Sequence, residues 1–171
     1  NSAATLLGQN INDVEHAVKK QDMIYFSGIT LAILDPSGRD NLFSCLKSAR
    51  RAGKKIAFDP NLRPKLWSNK KEMCDIIMAG AKFSDIILPS FEDEKTWFSD
   101  ADPMATLKRY RKVGAEIVVV KNAGEPVSFI SNQGAGTHPV ETIRTVVDST
   151  AAGDSFNSEI LVGILRNIPL T

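Results

Sequence analysis

The stretch Asp102-Pro103-Met104-Ala105-Thr106-Leu107, continuing through Tyr110 to Gly114 and on to Ile117-Val118-Val119-Val120-Lys121, decides the fold. Asp102 can cap a helix, and Pro103 suits its first position, where a missing N–H costs nothing. Leu107 and Tyr110 share one helical face, and Gly114 closes the helix. Four β-branched residues follow, a run too short for a helix and too apolar for a strand with one wet face. The same logic appears upstream. Asp35-Pro36-Ser37 opens a helix with Leu42, Leu46 and Ala49 on one side, which ends at Gly53 before a strand over Ile56 to Asp59. Further strand-length runs lie at Met23 to Ser27 and Ile86 to Pro89. Such alternation implies an α/β fold with a mainly parallel, Rossmann-like sheet covered by helices on both faces. Beyond Lys121 the pattern changes to a small antiparallel hairpin, Val127 to Ser131 with about Gly136 to Val140, around Asn132-Gln133-Gly134. A last helix is expected from Gly153 to Arg166. With no repeat, linker or low-complexity tract, residues 1–171 read as a single α/β domain.

Composition narrows the partners. The 171 residues are 43% hydrophobic and 24% charged, enough to build a real core. Twenty-one Lys plus Arg against 20 Asp plus Glu leave a net charge of +1, so no overall field favours nucleic acid or an anionic membrane. An anionic ligand must be held by local geometry. Cys45 and Cys74 fall in helical segments without partner spacing, which fits free thiols in a reducing compartment, and His16 and His138 show no ligand spacing. No run reaches the roughly 18 apolar residues of a membrane span, and the start lacks a signal pattern, so a cytoplasmic location is expected. A chain that opens on Asn1 and stops at Pro169-Leu170-Thr171, just past a helix, reads as an excerpt of a longer protein.

In open parallel sheets ligands bind beyond the carboxyl ends of the strands, which points to the loops starting at Ser27, Asp59, Pro89 and Lys121. Ahead of the last helix stands Asp148-Ser149-Thr150-Ala151-Ala152-Gly153-Asp154-Ser155-Phe156. Small residues let the backbone approach a ligand closely, and the free N–H groups and dipole of a helix start favour negative charge. A carboxylate in that first turn could accept a hydroxyl proton during phosphoryl transfer. The spacing equally suits an ordinary helix cap whose small residues pack against a strand. The second block is Phe58-Asp59-Pro60-Asn61-Leu62-Arg63-Pro64-Lys65-Leu66-Trp67. Two prolines stiffen it, so Asn61 and Arg63 would be presented at little ordering cost, Arg63 with a fork suited to a carboxylate. A rigid surface turn with a solvated arginine is the alternative.

The first block resembles the second signature of the ribokinase or PfkB-type carbohydrate kinases, Asp-Thr-Thr-Gly-Ala-Gly-Asp-x-Phe. Ser149 replaces its first threonine and Ala151 its first glycine. The resemblance implies a ribokinase-like three-layer α/β/α fold, with ATP and Mg²⁺ as cofactors. It also implies an anion hole at Ala151, Ala152 and Gly153, Asp154 as catalytic base, and a monovalent cation such as K⁺ near Asp148 and Thr150. Alanine at 151 is tolerable only if that residue does not need a positive φ. Asp59, Asn61 and Arg63 match the family's Asp-x-Asn-x-Arg, which implies substrate binding. The Pro64-Lys65-Leu66-Trp67 extension and Ser27 to Ile33 resemble the members that phosphorylate 2-keto-3-deoxygluconate, a sugar acid, at its 6-hydroxyl. So does Asn1-Ser2-Ala3-Ala4, which looks like the return from a lid. Fructokinases and ribokinases are the alternatives.

Leu88-Pro89-Ser90-Phe91-Glu92-Asp93-Glu94 reads physically as a helix start, with Ser90 as cap and Asp93 completing an approximate capping box. In the family this place carries Asn-x-x-Glu, associated with phosphate and Mg²⁺, so Ser90 and Asp93 become cofactor candidates. Glu92 and Glu94 read as first-turn acids favoured by the dipole. Lys121-Asn122-Ala123-Gly124-Glu125-Pro126 stands where the family has Lys-x-Gly-x-x-Gly beside the nucleotide, implicating Lys121 and Gly124, although an exposed strand-end lysine is the simpler reading. Trp67, Trp97 and Phe98 read as packing residues. A NAD-dependent dehydrogenase would need Gly-x-Gly-x-x-Gly after the first strand, and none is there. The family's N-terminal strand, lid and C-terminal helices have no counterpart in these 171 residues. Little turnover is therefore expected of the chain alone, which could be an inactive, ligand-binding fragment, with a homo-oligomer for the full-length protein.

Overall fold

Four parallel strands form the centre of the computed structural model, which describes residues 3–141 and 150–170. In chain order the elements are α1 (Ile11–Lys19), β1 (Met23–Ser27), α2 (Gly28–Ile33), α3 (Pro36–Arg51), β2 (Lys55–Asp59), α4 (Lys70–Ala81) and β3 (Ile86–Ile87). There follow α5 (Phe91–Phe98), α6 (Pro103–Lys112), β4 (Ile117–Val120), β5 (Val127–Ser131), β6 (Gly134–His138) and α7 (Ala152–Leu165). The six strands lie side by side in sequence order, β1 to β4 parallel and β5 and β6 antiparallel. This is the α/β fold that the alternation implied. Asn1 and Ser2 lie outside the described residues, and Ala3–Leu6 is a 3-10 turn.

The caps form where the sequence put them: Asp35 accepts the Gly38 N–H at 2.6 Å and Asp102 that of Ala105 at 2.7 Å. Side chains then alternate across the sheet. Phe26, Phe58, Ile87, Val118 and Val120 face α3, α4 and α6, which contribute Leu46, Ile77, Leu107 and Tyr110. Phe26 and Phe58 stack with ring centroids 4.6 Å apart. Ala57, Ile86, Leu88 and Val119 face the other way and are covered by Phe156, Ile160, Leu161 and Ile164 of α7. One helix thus spans the second layer and brings its N-terminus to the carboxyl ends of the strands.

Three local expectations shift. The hairpin loop is the two residues Asn132-Gln133, with Ser131 paired to Gly134, so β6 starts two residues earlier than predicted. Gly134 enters the strand at φ 147°, a conformation open to glycine, which lets the loop be that tight. Helix α7 begins at Ala152 rather than Gly153. Ser90 occupies the N-cap of α5 but makes no side-chain cap bond. The first helical N–H, that of Phe91, donates to the Lys121 carbonyl at 2.8 Å, beside an isolated parallel bridge between Ser90 and Lys121. A sheet contact thus anchors the start of α5.

Candidate active site

A cavity of about 510 Å³ opens at the carboxyl ends of the parallel strands. Asp59, Asn61 and Arg63 border it from the loop after β2, Ser90 and Asp93 from the start of α5, and Lys121 from the end of β4. Ala151, Ala152, Gly153 and Asp154 close it from the start of α7. Four separate pieces of chain therefore bring ten of the residues named from the sequence to one place. Gly124 is not among the residues bordering it; the turn presents Asn122 and Ala123 instead. Thr150 lies outside the lining as well, and Asp148 lies outside the described residues.

The loop after β2 is fixed by backbone contacts. A Cβ built on Gly28 would sit 1.9 Å from the Pro60 carbonyl oxygen and 2.6 Å from Ile77 Cδ1, so only glycine lets the loop lie against the start of α2. Asp59 Oδ1 accepts the Asn61 N–H at 3.1 Å, closing an Asx turn in which Asn61 adopts φ 36°. Arg63 is exposed at the rim, its Nη1 donating to the Leu62 carbonyl at 2.9 Å.

Beneath the cavity lies a polar network that sequence reasoning missed. The Lys121 ammonium donates to Asp59 Oδ2 (3.2 Å) and Asn157 Oδ1 (2.9 Å), and Asn157 Nδ2 donates to Asp59 Oδ2 (2.7 Å) and to the Tyr25 hydroxyl (3.2 Å). The Lys121 side chain is only 14% exposed, which corrects the picture of a solvated strand-end lysine. Among the described residues it meets two acceptors, leaving one ammonium proton for an anion in the cavity. One signal for Asn157 was available: an amide three residues past Asp154, on the helix whose neighbours Phe156, Ile160 and Leu161 are apolar.

Electrostatics follow from this geometry. Burial raises the Asp93 carboxyl above its ordinary range, Glu92 and Asp59 add to the rise, and Arg63 and Lys121 oppose it. Burial likewise raises the Tyr25 phenol, with Asp59 adding to the effect and the Asn157 amide pulling it back. Ala151 adopts φ 59°, so the position filled by glycine in the resembling motif does require the left-handed region, contrary to the condition stated for it. Ala123, at the first glycine position of the other motif, also adopts a positive φ, 49°. Both turns keep the glycine backbone without the glycine.

Glu94 stands in the first turn of α5 as expected, and it has a further role there. It is fully buried, accepting from Arg109 Nη2 at 2.5 Å and from the Tyr110 hydroxyl at 3.0 Å. Its neighbour Asp93 faces the cavity, so α5 is pinned on one side and chemically available on the other. Glu92, Asp93 and Asp154 are carboxylates on the cavity wall, but among the described residues no three His, Cys, Asp or Glu side chains close on one point. Such a donor set fits a hydrated Mg²⁺ carried on ligand phosphates better than a cage made by the protein. No helix among the described residues is long and apolar enough to cross a membrane.

A mainly parallel sheet with a small-residue helix start, a stiff Arg-bearing loop and a lysine around one cavity defines an α/β protein of ribokinase-like fold. The chain belongs to the pfkB family of carbohydrate kinases, whose profile matches residues 1–171. It is 39% identical over 153 residues to a 2-dehydro-3-deoxygluconokinase of Haemophilus influenzae, covering 88% of this chain and 48% of that protein. The enzyme of the same name from Escherichia coli K12 is 35% identical over 144 residues, covering 82% and 46%. In structure it resembles a PfkB protein from Polaromonas, with a TM-score of 0.81 at 26% identity over 94% of this chain and 52% of the other. The chain spans about half the length of the curated relatives it matches.

Proposed function

We propose that this chain carries the phosphoryl-transfer centre of an ATP-dependent sugar-acid kinase, one that converts 2-keto-3-deoxygluconate to its 6-phosphate. The observation that supports this most is the placement of Asp154, in the first turn of α7, at the same cavity as Arg63 and Lys121. Arg63 grips the carboxylate of the acceptor with its paired N–H groups, and Asn61 orients the chain of hydroxyls. The 6-hydroxyl oxygen bonds to the γ-phosphorus as the bond to the β,γ-bridging oxygen breaks, its proton passes to Asp154, and ADP leaves. The N–H groups at Ala151 to Gly153, and the spare Lys121 proton, hold the charge on the transferring group. Asp93 and Glu92 would hold Mg²⁺ through water, and the ion would supply charge neutralisation on the phosphates.

A second reading has support of its own, since a fructokinase of Rhizobium leguminosarum is 31% identical over 151 residues. A neutral sugar would leave Arg63 without a carboxylate partner. The test is an ATP-coupled assay of the natural polypeptide with 2-keto-3-deoxygluconate, fructose and ribose, alongside Asp154→Asn and Arg63→Ala. The proposal expects preference for the keto acid, loss of kcat on the order of 100-fold or more in Asp154→Asn, and a raised KM for the acid in Arg63→Ala. Preference for fructose or ribose would refute the substrate assignment. A wild-type rate in Asp154→Asn would refute the base, and ligand binding without turnover by the natural polypeptide would support an inactive binding protein.

A further inference from the structure

Asn157 lies one turn beyond Asp154 on α7, so the two residues share a helical face. It is 2% exposed, and every end of its amide is engaged. The oxygen takes the Lys121 ammonium, and the two amide hydrogens go to the Asp59 carboxylate and the Tyr25 hydroxyl. These partners fix which way the amide points, because reversing it would set NH₂ against the ammonium. Asp59 in turn holds the loop backbone through the Asn61 N–H. An unbroken line of hydrogen bonds thus runs from the helix bearing Asp154 to the loop bearing Arg63.

Apolar contacts of α7 with the sheet are made by Phe156, Ile160, Leu161 and Ile164. Apolar contact of this kind is non-directional and leaves a helix free to slide or roll by small amounts. A buried amide with three partners does not.

We propose that Asn157 is a positioning residue for phosphoryl transfer: it ties the helix of Asp154 to the acceptor loop through Asp59 and Lys121. In doing so it sets the distance between the base and the acceptor hydroxyl. The inference rests on the reading of Asp154 as proton acceptor given above.

The test uses four variants of the natural polypeptide, with melting curves recorded for each. Asn157→Leu keeps the branched shape of the side chain and removes the hydrogen bonds. It is expected to lower kcat on the order of 100-fold, the effect of displacing a reacting group by about 1 Å, while the KM for ATP moves by less than roughly threefold. Asn157→Asp sets a second carboxylate against Asp59 and is expected to fall at least as far. Adding Asp59→Asn restores one carboxylate, one amide and one ammonium, and should recover kcat roughly tenfold over the single variant. A folded Asn157→Leu protein with near-wild-type kcat, beside an inactive Asp154→Asn, overturns the inference alone. Equal losses of ATP binding and kcat, without recovery in the exchange, overturn it in favour of a purely structural residue. A wild-type rate in Asp154→Asn removes the base reading first, by a separate measurement.

Discussion

Two buried ion networks use the same ingredients to opposite ends. In one, Glu94 meets Arg109 and Tyr110 between α5 and α6. In the other, Asp59 meets Lys121, Asn157 and Tyr25 beneath the cavity. Each has a carboxylate, a cation and a tyrosine. The first is closed: Arg109 is shared with Asp100 at 2.6 Å and lies over the rings of Phe98 and Tyr110, with centroids 3.9 and 4.4 Å away. The second is open, with Lys121 on the cavity wall and Tyr25 44% exposed. Choice of cation follows that difference. A planar guanidinium suits a pocket where all its faces and forks are used, whereas a rotatable ammonium can serve two fixed acceptors and one that arrives later.

The comparison is broken most strongly by removing each cation. Arg109→Met leaves Glu94 buried without its ion, and a stability loss of about 3–5 kcal/mol is expected from urea denaturation. Lys121→Met should cost only about 1–3 kcal/mol, because Asp59 borders the open cavity and keeps Asn157 as a donor, but should weaken ATP binding by roughly tenfold or more. Equal stability losses would erase the distinction between a closed and an open network.

Proton linkage sharpens it. Burial pushes the Glu94 carboxyl up to about 7, against the pull of Arg109 and Tyr110. A carboxyl raised on folding favours the native state fully below its unfolded pKa and loses that contribution as pH climbs through the folded value. Stability from this group should therefore fall between about pH 4.5 and 7, and Glu94→Gln should flatten that slope in melts recorded across the range. An unchanged slope would remove Glu94 as its source. The smallest effect is expected at Ala151→Gly, which relieves a left-handed alanine and should stabilise by about 1 kcal/mol.

What the sequence disclosed divides along the reach of the interactions. The caps at Asp35 and Asp102 were legible because donor and acceptor lie three residues apart. The parallel strands were legible because burial on both faces leaves continuous apolar runs. Glu94 was legible as a first-turn acid but not as a buried one, because its burial depends on Arg109, 15 residues on. Asn157 and Tyr25 are 132 positions apart and meet only once α7 crosses the sheet. The ten residues at the cavity were found mainly through family likeness, and their geometry gives that likeness a physical basis: four strand and helix ends converge there. The sequence could pose the backbone question at Ala151, because the resembling motif has glycine there, but only the φ of 59° answers it.

The missing Cβ of Gly28 bears on anyone who wishes to redesign the acceptor. Since the Pro60 carbonyl rests where that atom would be, the loop's main chain is cast against α2 and cannot be re-registered by choosing new loop residues. Variation at position 63 then changes the chemistry offered to a ligand while the frame stays put, whereas position 61, at φ 36°, belongs to the frame itself. A library built on 63, with 28 and 61 held constant, would separate appetite from architecture.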